Sequence, residues 1–374
     1  MDLAVVGAGR WGQNYLRVLG EMPGCRVKWC VDLDPRRLEV MGARHPTISF
    51  SSRLEDVLAD TGVEAVVVAT PPATHFPIAL ACLEHGKHVL VEKPCARTTG
   101  EILRLREAAA SRQKVFMAGH IMEYNPALQW LKNYLQEGRL GNLLYLYLTR
   151  TGLGTVRQDV NVLWDLAVHD LTILRFLVGA EPEAISAQGA CYLQPGVHDL
   201  VFVTLKFPGN VMAQIHATWL APRKIRQVTV VGDRQMAIFD DVAGEDKIRV
   251  YDRGVNSLYE PGGAGEGGYA MVPRYGDIYL PAITVQEPLA GQCRHFLDCI
   301  REGKEPLTGW QDALWVIAAL EAAQRSLESQ GLCHTPTLAA PGPPDIRPAV
   351  LSPRSGAPGP ASSPLASGWR QPQR

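Results

Sequence analysis

The sequence predicts an α/β chain in which a doubly wound parallel sheet is followed by an α+β region built on a large, mostly antiparallel open sheet. Three observations carry this. Short apolar runs at residues 3–6, 27–31, 64–69 and 89–91 alternate with helix-patterned stretches as far as residue 119, the rhythm of buried parallel strands joined by helices. Past residue 180 the apolar runs follow one another with only short turns between them, which implies antiparallel pairing. The length of 374 residues corresponds to about two domains. The expected division is 1–119, 120–335 and a tail, 336–374.

Hydrophobic residues at 46%, charged residues at 20% and a net charge of −1 fit a globular chain. They leave no basic stripe for nucleic acid or an anionic membrane. No apolar run is long enough to span a bilayer, and the first strand begins at once, without the pattern of a secretory leader. Eight cysteines (Cys25, Cys30, Cys82, Cys95, Cys191, Cys293, Cys299, Cys333) are scattered without CxxC or Cys/His spacing. No metal is expected, and a reduced, cytoplasmic enzyme fits best. Cys95 is the cysteine whose thiol could be accessible to alkylation, since it follows a turn near a ligand.

Residues 3–6 lead into Gly7-Ala8-Gly9-Arg10-Trp11-Gly12 and then an amphipathic stretch, 13–19. This is strand, glycine turn, helix. Gly7 permits the tight turn, Gly9 lets backbone approach a pyrophosphate, and Gly12 lets helix and strand pack closely, with the helix N-terminus facing the phosphate charge. The strand at 27–31 ends in Asp32, about 20 residues beyond Gly12, where a carboxylate can take both ribose hydroxyls. The combination predicts a Rossmann-type dinucleotide site contacted by Gly7, Gly9, Arg10, Trp11, Gly12 and Asp32. Asp32 repels a 2′-phosphate, so NAD is favoured over NADP. Arg36 and Arg37 read either as phosphate holders or as a solvated first turn after Pro35.

A helix ends at 56–60, a fourth strand runs 64–69 and a helix runs 74–84. Between the last two, Thr70-Pro71-Pro72-Ala73-Thr74-His75 forms a rigid turn that would wall the crevice with Thr70, Pro71 and His75, although His75 could instead cap the helix. Val89-Leu90-Val91 then delivers Glu92, Lys93 and Pro94 to the carboxyl edge of the sheet, where open α/β sheets bind ligands. Pro94 has no N–H and stops the ladder, which leaves Glu92 and Lys93 at the cofactor crevice. A helix at 98–112 and a strand at 114–117 close the unit.

The second region opens with a helix at 125–136, Pro126 in its first turn. A strand at 143–149, a loop carrying Arg157, Asp159 and Asn161, and a helix at 163–178 follow. Strands are expected at 184–192, 201–207, 211–219, 227–231, 236–239 and 248–251. The glycine-rich stretch 254–276 reads as a long loop, either a substrate lid or an oligomer arm. Helices at 289–302 and 311–328 precede a Pro/Ala/Ser/Gly-rich tail that is expected to be disordered, either a PxxP docking segment or inert. Within the helix at 163–178, Asp165 and His169 are four apart on one face of a nearly all-apolar segment. A buried carboxylate and imidazole need partners or a cleft, so the pair is structural or catalytic.

Gly7-Ala8-Gly9-Arg10-Trp11-Gly12, Glu92-Lys93-Pro94 and Asp165-x-x-x-His169 together resemble the markers of the Gfo/Idh/MocA family, relatives of glucose-fructose oxidoreductase and inositol dehydrogenase. The resemblance runs in order from residue 1 to about 332 and includes Glu287-Pro288-Leu289. It implies an NAD(P)-binding Rossmann domain and a C-terminal domain whose open sheet carries substrate and subunit contacts, as a homodimer or homotetramer. It also implies catalysis by Lys93, Asp165 and His169, with a Lys93-Pro94 bond that is often cis. Arg150-Thr151-Gly152-Leu153-Gly154 and the run from Arg157 to Ala167 are similar to one branch, the UDP-N-acetylglucosamine 3-dehydrogenases. On that resemblance His169 is the base, Lys93 stabilises the substrate oxygen and Asp165 orients Lys93 or a hydroxyl. Arg157 would take a diphosphate or carboxylate, and Asn125, Asp159 and Asn161 would take hydroxyls, unless all four only fix loops. The expected reaction is hydride transfer from a ring CH–OH of a sugar or sugar nucleotide to NAD. A free polyol or aldose dehydrogenase and a catalytically silent dinucleotide-binding regulator are the alternatives.

Overall fold

The computed structural model describes residues 1–260 and 268–338. Six parallel strands, Asp2–Val6 (β1), Arg26–Val31 (β2), Ser49–Ser51 (β3), Ala65–Val68 (β4), His88–Glu92 (β5) and Phe116–Gly119 (β6), form one sheet in the order β3-β2-β1-β4-β5-β6. The order reverses between β1 and β4, which opens a crevice at their carboxyl ends. The connecting helices are Arg10–Glu21 (α1), Pro35–Arg44 (α2), Leu54–Ala59 (α3), His75–Glu84 (α4) and Thr99–Ser111 (α5). Their starts are chemically marked. Asp34 accepts from the Arg36 N–H ahead of a helix that begins with Pro35, and Thr98 accepts from the Glu101 N–H. β4 is buried at every position because helices cover both faces, which is why it reads as an unbroken apolar run.

The second sheet has eight strands: Leu143–Thr151 (β7), Ala184–Ala190 (β8), Leu200–Phe207 (β9), Val211–Thr218 (β10), Ile225–Gly232 (β11), Met236–Asp240 (β12), Ile248–Glu260 (β13) and Gly268–Tyr279 (β14). Their order is β14-β13-β12-β11-β7-β10-β9-β8, and every neighbouring pair is antiparallel except β7 with β10. The strand period of two separates the faces. Leu146, Leu148, Val203, Leu205, Ile215, Val228 and Val230 are buried, whereas Tyr145, Tyr147, Phe202 and Met212 are exposed. The remaining helices are Pro126–Gln136 (α6), Val168–Val178 (α7), Pro288–Glu302 (α8) and Trp310–Glu328 (α9). A π-helical turn, Leu163–Ala167, runs directly into α7.

One helix crosses the expected division at residue 119. Leu289, Cys293, Phe296 and Leu297 of α8 pack in one cluster with Leu3 and Val5 of β1 and Tyr15, Leu16 and Leu19 of α1. The first sheet is therefore covered in part by chain that follows the second.

Two expectations are corrected. The stretch 254–276 is a long hairpin arm rather than an open loop: β13 and β14 pair in register, Val255 opposite Pro273 and Asn256 opposite Val272. Strand-forming Val255, Val272, Tyr275 and Ile278 outweigh the glycines there, and Pro273 is tolerated because β14 is the edge strand. Its middle, 261–267, and the tail from 339 onward lie outside the described residues. Cys95 is fully buried, and burial pushes its thiol up to about 12, so alkylation is not expected there. Among the described residues no helix is long and apolar enough to cross a membrane.

Candidate active site

The crevice between β1 and β4 is a cavity of about 650 Å³ lined by Gly7, Gly9, Arg10, Trp11, Asp32, Arg37, Thr70 and Pro71 among others. Its floor depends on missing side chains. Gly7 has φ +101°, and a Cβ there would lie 2.6 Å from the Ala69 carbonyl oxygen. A Cβ on Gly12 would lie 1.7 Å from the Gly7 carbonyl oxygen, so only glycine lets α1 sit this close to the turn. Gly9 has nothing closer than the Arg37 Nη1 at 3.9 Å, which leaves its side open to a ligand.

Asp32 is held by backbone. Its Oδ2 accepts from the Ala8 N–H at 2.7 Å and its Oδ1 from the Asp34 N–H at 2.9 Å. Arg37 lies 3.6 Å from Asp32 and 3.4 Å from Asp34, so its charge is shared by two carboxylates; Arg36 is not among the lining residues. Gly12, His75, Glu92 and Lys93 stand outside the cavity lining. His75 is a clamp rather than a cap: its ring nitrogens face the Pro94 and Thr70 carbonyl oxygens at 2.8 and 2.6 Å, tying together the turns after β4 and β5. The glutamate before Lys93 points inward, where Tyr15 donates to Glu92 at 2.8 Å and Gln292 donates to the Tyr15 hydroxyl at 2.9 Å. Burial raises the Glu92 carboxyl. The Glu92 side chain thus braces the turn from beneath.

Lys93 directly follows β5 and is joined to Pro94 by a cis peptide bond. Its Nζ donates to the Asp165 carbonyl oxygen at 2.8 Å and lies 3.5 Å from Asp165 Oδ1. Asp165, on the π turn, also meets Arg157 Nη1 at 3.4 Å and accepts from the Trp219 indole N–H at 3.2 Å. The π turn departs from α-helical spacing at the residue that gathers these contacts. His169 is the second residue of α7, which starts directly after the turn, and is only partly open to solvent. Burial, then the Lys93 charge, then Arg150 push its pKa well below the usual histidine range. Burial also lowers Lys93, with Asp165 and Glu92 opposing. A neutral imidazole and a lysine eased toward neutrality are groups that can exchange a proton with a hydroxyl.

The four residues expected to bind substrate all have protein partners. Arg157 forms a two-point pair with Asp159, Nε to Oδ1 at 2.9 Å and Nη2 to Oδ2 at 2.5 Å. That pairing raises the guanidinium and lowers the carboxylate. The Asn161 Oδ1 accepts from the Trp164 N–H at 3.2 Å and its amide donates to Gln324 at 3.0 Å. Asn125 caps a helix: its Oδ1 accepts from the Ala127 N–H at 3.0 Å, and its amide donates to Asp241 at 3.3 Å. Short polar side chains beside a helix start or a tight loop satisfy local backbone first.

Sequence reasoning missed several polar residues. Trp219, just past β10, orients Asp165. Arg150 is buried and donates to Asp170 at 2.9 Å; burial still pushes the Asp170 carboxyl up to about 6. The strand period gave a usable signal, because Arg150 shares the inward phase of Leu146 and Leu148. His120, Glu123 and Asp312 form a buried cluster, with His120 Nδ1 2.5 Å from Asp312 and the Glu123 carboxyl raised well above its usual range by burial and by Asp312. His120 and Glu123 are three residues apart, but Asp312 comes from α9, 192 residues after His120, so nothing near the first two announces the cluster.

Comparison with known proteins agrees with this geometry. Residues 1–120 match the model of the oxidoreductase family with an NAD-binding Rossmann fold, GFO_IDH_MocA, and residues 128–238 match the GFO/IDH/MocA C-terminal domain. A crystal structure described as an oxidoreductase from Magnetospirillum magnetotacticum MS-1 is 30% identical, covering 86% of this chain and 99% of that one with a TM-score of 0.72. UDP-N-acetylglucosamine 3-dehydrogenase from Acidithiobacillus ferrooxidans is 27% identical over 69% of this chain and 79% of its own. The scyllo-inositol 2-dehydrogenase (NAD(+)) of Bacillus subtilis is 23% identical over 83% and 89%. Three other curated relatives are matched over only 60%, 65% and 58% of their length, so the chain spans about three fifths of them. The chain belongs to the GFO/IDH/MocA oxidoreductase family.

Proposed function

We propose that this protein is an NAD-dependent dehydrogenase that oxidises a ring CH–OH of a sugar nucleotide, at C3 of a UDP-linked N-acetylhexosamine or its uronic acid. The observation that carries the dehydrogenase reading is Lys93 held against Asp165 at the sheet edge that also forms the crevice, with His169 four residues beyond Asp165. The crevice fits a dinucleotide: its glycines leave backbone bare where a pyrophosphate would lie, and Asp32 stands at the end of β2 for the ribose. When bound, NAD supplies the hydride acceptor. His169 takes the hydroxyl proton, which its depressed pKa leaves it free to do, and Lys93 donates a hydrogen bond to the oxygen as negative charge gathers on it. Asp165, fixed by Trp219 and Arg157, keeps Lys93 pointed at that oxygen. NAD is preferred to NADP because Arg37 is already neutralised by Asp32 and Asp34.

The relative named for UDP-N-acetylglucosamine supports the substrate class, as does Arg226, only loosely paired with Asp241 at 3.7 Å. The inositol relative keeps a free polyol as the second reading. The exposed apolar outer face of the second sheet supports a homodimer or homotetramer through it. The deciding assay follows NADH formation by the purified chain with UDP-N-acetylglucosamine, its uronic acid, myo-inositol and glucose. Turnover of myo-inositol or glucose alone would defeat the sugar-nucleotide reading.

A further inference from the structure

On the covered face of the second sheet, Arg150 of β7 stands in register opposite Arg226 of β11. Their situations differ. Arg150 is buried and committed to Asp170. Arg226 is 39% exposed, and the carboxylate paired with it, Asp241, is 3.7 Å away and also accepts from Asn125. Both arginines lie near enough to His169 for their charges to disfavour its protonation, so the catalytic imidazole and these guanidiniums share one electrostatic environment. Asp241 in turn lines a cavity of about 460 Å³ with Asn125, Lys247, Leu280, Ile283 and Gln286. Asp241 therefore links Arg226 to a space in the size range of small-molecule sites.

This inference rests on the sugar-nucleotide reading and deepens it. We propose that Arg226, backed by Arg150, seats the substrate's anionic group, a phosphate or a carboxylate, and that the part of the substrate beyond that group occupies the cavity past Asp241. The alternative seat, Arg157, is filled at two points by Asp159, so an anion there must displace a short pair. An anion at Arg226 exchanges a 3.7 Å contact for a two-point, charge-assisted one. Arg150 adds a second positive charge without leaving Asp170. The arrangement also separates roles: the Lys93 side handles the reacting hydroxyl and the Arg226 side handles the charge that positions the ring.

The test uses the full chain with NAD and titrates UDP, UDP-N-acetylglucosamine and D-glucuronate. Arg226→Gln is expected to weaken binding of the anionic ligands and raise the sugar-nucleotide KM by at least about tenfold, the scale of one charge-assisted pair, while NAD affinity stays as in the wild type. Arg226→Lys, which keeps the charge and loses the fork, should fall between. Asp241→Asn removes the competing carboxylate and should hold or tighten UDP, whereas a merely structural ion pair would loosen with either substitution. Loss of UDP binding identifies a phosphate as the seated group; loss confined to D-glucuronate identifies a carboxylate. Unchanged KM in Arg226→Gln with active wild type overturns this seat alone, as does a larger loss in Arg157→Gln than in Arg226→Gln. Wild type that binds none of the three yet oxidises myo-inositol overturns the sugar-nucleotide reading as well.

Discussion

The dinucleotide crevice and the proposed catalytic centre lie at one sheet edge but are built in opposite ways. The crevice is made from backbone and from absent atoms: Gly7 and Gly12 allow approaches that a Cβ would forbid, and Asp32 is held by N–H groups of Ala8, 24 residues before it, and Asp34. The centre is made from side chains brought across the fold. Lys93 reaches Asp165 over 72 residues of sequence, and Trp219 reaches Asp165 over 54. The crevice should therefore fail when atoms are added, and the centre when they are removed.

The largest expected effect lies in the centre. Lys93→Ala and His169→Ala should each cost at least about a hundredfold in turnover, the usual scale of a positioned proton-transfer group, while NAD affinity stays close to that of the wild type. Steady-state kinetics with cofactor titration checks this. Near-normal turnover in both would favour a silent dinucleotide-binding regulator.

Adding one carbon to the crevice should come next. In Gly12→Ala the new Cβ would have to push the Gly7 carbonyl, so NAD affinity should drop by about tenfold or more and the melting temperature should fall with it. Unaltered binding and melting would mean that the close approach is not needed. A milder change at the same edge, Asp32→Ala, should shrink the preference for NAD over NADP several-fold by freeing Arg37; an unchanged ratio would transfer that role elsewhere.

The pH response sharpens the contrast because the centre titrates. Burial disfavours His169 protonation, so its folded-state pKa lies below the reference of about 6.5. The acid limb of kcat/KM should accordingly fall below that value. The folded chain binds fewer protons here than the unfolded one, so this group's contribution to stability is present above about pH 6.5 and declines as pH drops toward the depressed pKa. A limb centred above 6.5 in the wild type would remove His169 as the base. The smallest effect is expected from Trp219→Phe, which deletes one hydrogen bond to Asp165 and should lower kcat a few-fold without altering NAD affinity.

Much of this was legible in the chain itself. The glycine turn, the strand ending at Asp32 and the run into Lys93-Pro94 are local patterns, and parallel strands buried on both faces declare themselves by composition. The long β13–β14 hairpin was misread because glycines mask strand propensity until a partner strand supplies the hydrogen bonds. The pairing of Asn125 with Asp241, 116 residues on, had no local signal, whereas that of Arg157 with Asp159 spans two residues and was open to a local reading.

What the sequence determined by itself was the phosphate turn, the strands that end at Asp32 and before Lys93, and the four-residue spacing of Asp165 and His169, since each follows from residues within a few positions of one another. Only the tertiary structure decided which charges meet. It buried Glu92 under Tyr15, turned Arg150 to Asp170 and left Arg226 partly free, because burial and pairing depend on neighbours tens to hundreds of residues away, and a side chain's chemistry is set by what surrounds it.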